Sequence, residues 1–153
     1  SVNTSVTLDS KSNDEIFQNA KINFNITNGK ISFNKTKFVN NEIGSLNIIN
    51  SDLSFKNDRL ILNTDISINI KDSDALYSHF QTSKKSRKLI KNILINLDYN
   101  FLTNQMEFNN LKINNNEVNE KLLRVIQDFS DNNSNNHNKV RRILNRMFAI
   151  YAG

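Results

Sequence analysis

Residues 88–101, KLIKNILINLDYNF, decide the fold. Ile93, Ile95, Leu97, Tyr99 and Phe101 recur at every second position, among Asn92, Asn96, Asp98 and Asn100. Period two places them on one face of a β-strand, with the polar residues on the other. The pattern returns at Ile22, Phe24 and Ile26, again at Ile31 and Phe33, and again at Leu60, Leu62, Ile66, Ile68 and Ile70. The last run is about twice the usual strand length of ~5–6 residues, which suits an extended sheet.

Between these runs lie turn signals. Asn28-Gly29 supplies two residues that tolerate positive φ, the requirement of a type I′ hairpin turn. Asn40-Asn41, Lys56-Asn57-Asp58 and Thr103-Asn104 mark further turns. The apolar parity changes between Ile48 and Leu53, which suggests a bulge or a bend near Asn50-Ser51, and changes again before Leu111 and Ile113. All connections but one are short, which predicts a meander of seven or eight antiparallel strands.

The exception begins at Asp72-Ser73-Asp74, where a carboxylate can cap a short helix through Ala75, Leu76, Tyr77 and Phe80. Helical spacing also governs the end of the chain. Val118, Leu122, Val125, Ile126 and Phe129 form one apolar stripe, Asp131–Asn136 is a polar linker, and Val140, Ile143, Leu144, Met147, Phe148 and Tyr151 form another. Lys139, Arg142 and Arg146 fall opposite that second stripe. The expected fold is mainly β: a long curved antiparallel meander sheet of groove type, capped by one short and two amphipathic helices. Residues 1–20 read as a leading edge strand or the remnant of a preceding region, 21–116 as the sheet and 117–153 as the helical end.

With 153 residues the chain is sized for one domain with a core. It contains 30 Asn but only 3 Gly and no Pro, a bias that AT-rich codons explain. So few glycines leave no phosphate-cradling loop or dinucleotide fingerprint. The absence of Cys removes thiolate metal sites and a cysteine nucleophile. His79 and His137 lack metal-ligand spacing, Asp72 and Asp74 read as helix-start residues, and Asp128–Asn138 lacks the glycine and terminal glutamate of a calcium loop. Neither catalytic residues nor a metal or cofactor site is expected. No run approaches the ~20 apolar residues of a membrane-spanning helix, and the chain's start at Ser1 suggests a piece of something longer or a processed product.

Strand spacing sharpens the functional question. Seven or eight strands make a sheet about 35 Å wide, whereas two helices cover roughly 20 Å. The excess apolar face needs an occupant, and Ile66, Ile68, Ile70, Ile93, Ile95, Leu97, Tyr99 and Phe101 are its candidate contacts. The net charge of +5 permits anionic partners. Lys84, Lys85, Arg87 and Lys88, with Arg142 and Arg146, are candidate contacts for lipid headgroups or a partner. Nucleic acid is not expected, because the aromatic residues share the apolar parity rather than a basic surface.

Three segments, INSDLSFKNDRLILNTDISINIKDSDALYSHFQ (49–81), KKSRKLIKNILINLDYNFLTNQMEFNNLKIN (84–114) and NRMFAIYAG (145–153), resemble the C-terminal region of AsmA-like proteins. The resemblance implies a periplasmic protein, anchored in the inner membrane by an upstream transmembrane helix, whose antiparallel units curl into an apolar groove. It implies phospholipid or another acyl lipid as ligand, a role in lipid transport and outer-membrane biogenesis, an envelope protein as partner, and no catalytic residues. Beside this reading stands a structural or interaction domain whose helices seal the sheet. Ile95→Asp separates the two: a lipid-facing site should tolerate the change and stay folded, whereas a packed core should not.

Overall fold

Asn28 and Gly29 take φ of 52° and 76°, the two positive values of the expected hairpin turn. They close β2 (Asn19–Thr27) onto β3 (Lys30–Ser32). The computed structural model describes residues 1–9, 16–131 and 137–153, with the side chains of 129–131 and 137 outside the description. Of the expected linker Asp131–Asn136, Asp131 ends the helix before it and 132–136 lie outside the described residues, as do the side chains of Phe129 and His137. β1 (Val2–Asp9) pairs along the outer side of β2. After β4 (Lys37–Asn40), the long β5 (Gly44–Lys56) and β6 (Arg59–Ile70) form a hairpin closed by Asn57 and Asp58, again at positive φ. The helix α1 (Ser73–His79) and a 3-10 turn (Lys84–Ser86) lead to β7 (Asn92–Asn100), β8 (Gln105–Ile113) and β9 (Asn116–Glu117). Two helices, α2 (Glu120–Asp131) and α3 (His137–Ala152), end the chain.

All nine strands belong to one antiparallel meander sheet in the order β1-β2-β3-β5-β6-β7-β8-β9. β4 also pairs with β2 and β5, so β3 and β4 fill one lane as a broken strand. The break spans Phe33–Thr36, where Lys35 takes φ 65°. This broken lane and the two-residue β9 raise the strand count above the seven or eight expected. Neither shows in apolar periodicity, because β9 is too short to alternate. Three boundaries also shift: Ile43 sits in the turn before β5, Phe101 lies past the end of β7, and Val118 precedes α2. Asn119 Oδ1 accepts from Leu122 N at 2.9 Å, and this cap fixes the start of α2.

The expected bulge or bend near Asn50-Ser51 is a bulge, and the second parity change also coincides with one. The register shifts between Ile48 and Asn50, and Ile49 is the extra residue. The second shift lies opposite Asn96/Leu97 and leaves Asn109 extra. Each insertion reverses strand parity, so Leu46 and Ile48 share a face with Leu53, and Phe108 shares one with Leu111. Apolar residues then align in rows across the strands. One row runs Leu8, Ala20, Phe38, Leu46, Ile68, Ile93, Ile113. On the other face, Asn50 and Asn96 donate to Asp65 at 3.1 and 2.6 Å and Asn109 donates to Asn96 at 2.9 Å, a polar ladder across four strands.

The helices roof only part of the apolar face. α2 packs on β8 and on α3, and α3 packs on the 3-10 turn. Beneath them Tyr77, Ile90 and Leu122 are fully enclosed, and the Tyr77 ring meets Phe148 edge-on at 5.0 Å. Toward the far end of the same face the cover stops, and Phe55, Leu60 and Phe101 are exposed.

Candidate functional site: an apolar cavity beneath the helices

An apolar cavity of about 320 Å³ lies between the sheet and its helical roof. Its floor comes from the rows, with Leu46, Ile68, Ile70, Ile93, Ile95 and Leu111 presented by β5 to β8. The roof is built by Leu76 of α1 and Phe80 just after it, Leu122 and Ile126 of α2, and Leu144, Met147 and Phe148 of α3. Ile16, Phe17 and Ile43 close one side. This volume falls in the lower range of small-molecule pockets, ~300–1,000 Å³.

The polar atoms at this lining are already engaged. Asn40 Nδ2 donates to the Ile16 carbonyl at 2.7 Å, while its Oδ1 accepts from Glu42 N and Ile43 N at 3.0 and 2.8 Å. Ser45 Oγ accepts from Asn47 Nδ2, and the Tyr151 hydroxyl accepts from Asn114 Nδ2 at 3.1 Å. No charged side chain is among the described lining residues. Water in such a space would lack the two to four polar partners that hold buried water, so the cavity favours an apolar occupant.

Of the eight sheet residues proposed from sequence, Ile68, Ile70, Ile93 and Ile95 line this cavity. The other four lie outside the lining. Ile66 pairs with Ile48 and Ile95 in the adjacent row and is half-buried. Leu97 is buried between Thr64 and Phe108. Tyr99 and Phe101 stand at the open end with rings edge-to-face at 4.9 Å, and Tyr99 Oη donates to Asn104 Oδ1. Sequence reasoning named the roof residues as helix stripes but not as site residues. The 3.6 period identifies which side of each helix is apolar, but not which row it covers.

The two basic clusters, some fifty residues apart in sequence, adjoin where α3 packs on the 3-10 turn. Lys84, Lys85, Arg142 and Arg146 are exposed. Arg87 is tied down: its Nε donates to the Thr82 carbonyl at 3.1 Å and its Nη1 lies 3.7 Å from Asp74 Oδ1. Lys88 Nζ reaches the Tyr151 carbonyl at 3.4 Å and lies 4.8 Å from that ring's centroid. A cation thus sits beside an aromatic residue of the cavity wall.

Tyr77 is the one described group with a clearly shifted pKa. Burial raises it above the ordinary tyrosine value, partly opposed by its hydrogen bond to the Lys88 carbonyl. The same oxygen accepts from Lys88 N at 3.2 Å. Tyr77 therefore anchors α1 to the strand leading into β7, holding roof to floor. Among the described residues no cluster of His, Cys, Asp and Glu is able to hold a metal ion, and no helix is long and apolar enough to cross a membrane.

Fold and cavity define the class: an antiparallel meander sheet with a helix-roofed apolar cavity. No family model, curated protein or solved structure matches the chain.

Proposed function

We propose that this domain binds an acyl chain in the cavity and along the uncovered rows, as a lipid-handling module of the AsmA-like kind. In this reading it is no enzyme and needs no cofactor. Its ligand is phospholipid or another acyl lipid, and it serves lipid transport between membranes and outer-membrane biogenesis. It would act in the periplasm on a protein anchored in the inner membrane upstream of these residues, beside an envelope protein partner and without nucleic acid.

The observation that carries the reading is a cavity whose lining is apolar and whose few polar atoms are occupied. Size narrows the ligand. At about 320 Å³ the cavity lies near the lower end of small-molecule pockets, ~300–1,000 Å³, which suits part of an acyl chain. Two full acyl chains do not fit, so a phospholipid would insert part of one chain and lay the rest on the open rows. The exposed cations Lys84, Lys85, Arg142 and Arg146 supply the charge for an anionic headgroup, at ~1 kcal/mol per residue near such a surface.

Native mass spectrometry of the purified domain, with organic extraction, tests this directly. Near-stoichiometric phospholipid or fatty acid is expected. Paired Leu46→Phe and Ile68→Phe substitutions, which fill the floor, should abolish that adduct while costing about 1–3 kcal/mol of stability. A well-folded, lipid-free parent that also takes up no lipid from vesicles would overturn the proposal in favour of a sealed interaction domain.

A further inference from the structure

Charge is segregated in this chain. Residues 81–97 carry five Lys and Arg and residues 138–153 carry four, and neither stretch contains Asp or Glu. The fold lays the two side by side. Arg141 Nη1 donates to Gln81 Oε1 at 2.7 Å, Asn145 Nδ2 to the Phe80 carbonyl at 2.9 Å, and Lys88 Nζ to the Tyr151 carbonyl at 3.4 Å. These ties run along α3 to its last residues, so the cations form one band. Lys84, Lys85, Lys88, Lys91, Arg142 and Arg146 are all exposed within it. Asp74 of α1 reaches the band and pairs there with Arg87. On the polar face of the sheet, by contrast, Asp52, Asp98 and Glu107 fall in one row across β5 to β8. An uneven field of this kind orients a molecule at an anionic surface.

Between Lys88 and Lys91 stands Leu89, 60% exposed, whereas Ile90 beside it is buried. The backbone there is fixed. The Leu89 carbonyl accepts from Asn114 Nδ2 at 2.8 Å, and Asn114 Oδ1 accepts from Lys91 N at 2.7 Å. A pinned backbone, not a loose one, thus holds the leucine outward. Next to it is Tyr151, with Lys88 Nζ over its ring, an amphipathic aromatic of the kind that sits at headgroup level.

We propose that this band docks on an anionic bilayer, with Leu89 inserted at the boundary of headgroups and acyl chains and the cations among the phosphates. An apolar anchor or a basic patch alone attaches weakly, and the two together attach stably. Charge complementarity selects an anionic partner, and Leu89 selects among anions. A nucleic-acid backbone would leave the leucine in water, whereas the headgroup boundary buries it. The inference goes beyond the cavity reading, because it rests on these cations and on Leu89, none of which lines the cavity.

Co-flotation with vesicles of phosphatidylcholine, with and without phosphatidylglycerol, tests it. The parent should float with the anionic vesicles only, and high salt should release it. Lys84→Gln combined with Lys85→Gln should weaken binding about twenty-fivefold, at ~fivefold per cation, and Leu89→Ser about tenfold. All three positions are exposed, so circular dichroism should stay the same. Because the chain has no Trp, Leu89→Trp is a clean probe. Its emission should shift to the blue and be quenched by brominated lipid. Leu102→Trp, at a position 71% exposed in the β7–β8 turn, should do neither. The protein with Leu46→Phe and Ile68→Phe should still float, whereas a parent that holds lipid in native mass spectrometry but does not float loses only the docking proposal. Flotation that ignores phosphatidylglycerol overturns the proposal, as does a tryptophan response at 102 and not at 89. So does a parent that ignores the vesicles and binds a labelled oligonucleotide, which marks a nucleic-acid surface instead.

Discussion

Gly44 opens β5 at φ 145°, and a Cβ there would lie 2.0 Å from the Asn69 carbonyl oxygen. Backbone conformation and space both demand glycine, so Gly44→Ala should cost more than about 1 kcal/mol in urea unfolding. The neighbouring cavity floor should loosen with it. Tyr77 makes a different prediction, with a pH signature. Its pKa is raised in the folded protein, chiefly by burial, so above the unfolded value near 10 the unfolded chain releases the phenol proton first. Stability is then unaffected by Tyr77 below about pH 10 and falls as pH rises toward the folded value. Tyr77→Phe should flatten this alkaline fall while costing about 1–2 kcal/mol at neutral pH, because the Lys88 carbonyl and amide lose their partner. Melting temperature against pH for both proteins checks the sign.

At the scale of elements, α1 has seven residues, too few to persist without its cap and its packing. Asp72 Oδ1 accepts from Asp74 N at 2.8 Å and Ala75 N at 3.0 Å. Asp72→Ala should therefore lower stability by about 1 kcal/mol while Asp72→Asn changes little, as measured by thermal unfolding. This cap was legible in sequence, as were both parity changes, the first of them as a bulge or a bend, since a carboxylate before an apolar stripe and a parity switch each have a single local cause. The broken lane of β3 and β4 was not, because its cause is distant: Ser51 Oγ accepts from Phe33 N, and Thr36 bonds to Asn23. Turns were partly hidden by composition. Asn28, Asn57 and Asn104, at positive φ, lie in turns named from the sequence, but Asn114 and Asn115, also at positive φ, did not stand out, because asparagine is too common here to mark a turn by itself.

Across the whole molecule, one apolar face serves two environments. The alternation of β6 and β7 placed Ile68, Ile70, Ile93 and Ile95 on a common face, and that half of the cavity was readable in advance. Where the roof ends was not readable, because helix docking depends on lane order and on where α3 meets the 3-10 turn. The boundary nevertheless has measurable consequences. Ile95 both lines the cavity and packs against the buried core, so a carboxylate there is desolvated with no partner. Ile95→Asp should cost several kcal/mol or unfold the chain, and the substitution therefore does not separate a lipid site from a sealed core as the sequence alone suggested. Leu60 lies on β6 beyond the helical cover and is exposed, so Leu60→Asp should cost less than about 1 kcal/mol. Paired urea titrations measure the difference. Equal losses would mean that the two ends are equally covered, and the open rows on which a lipid tail could rest would not exist.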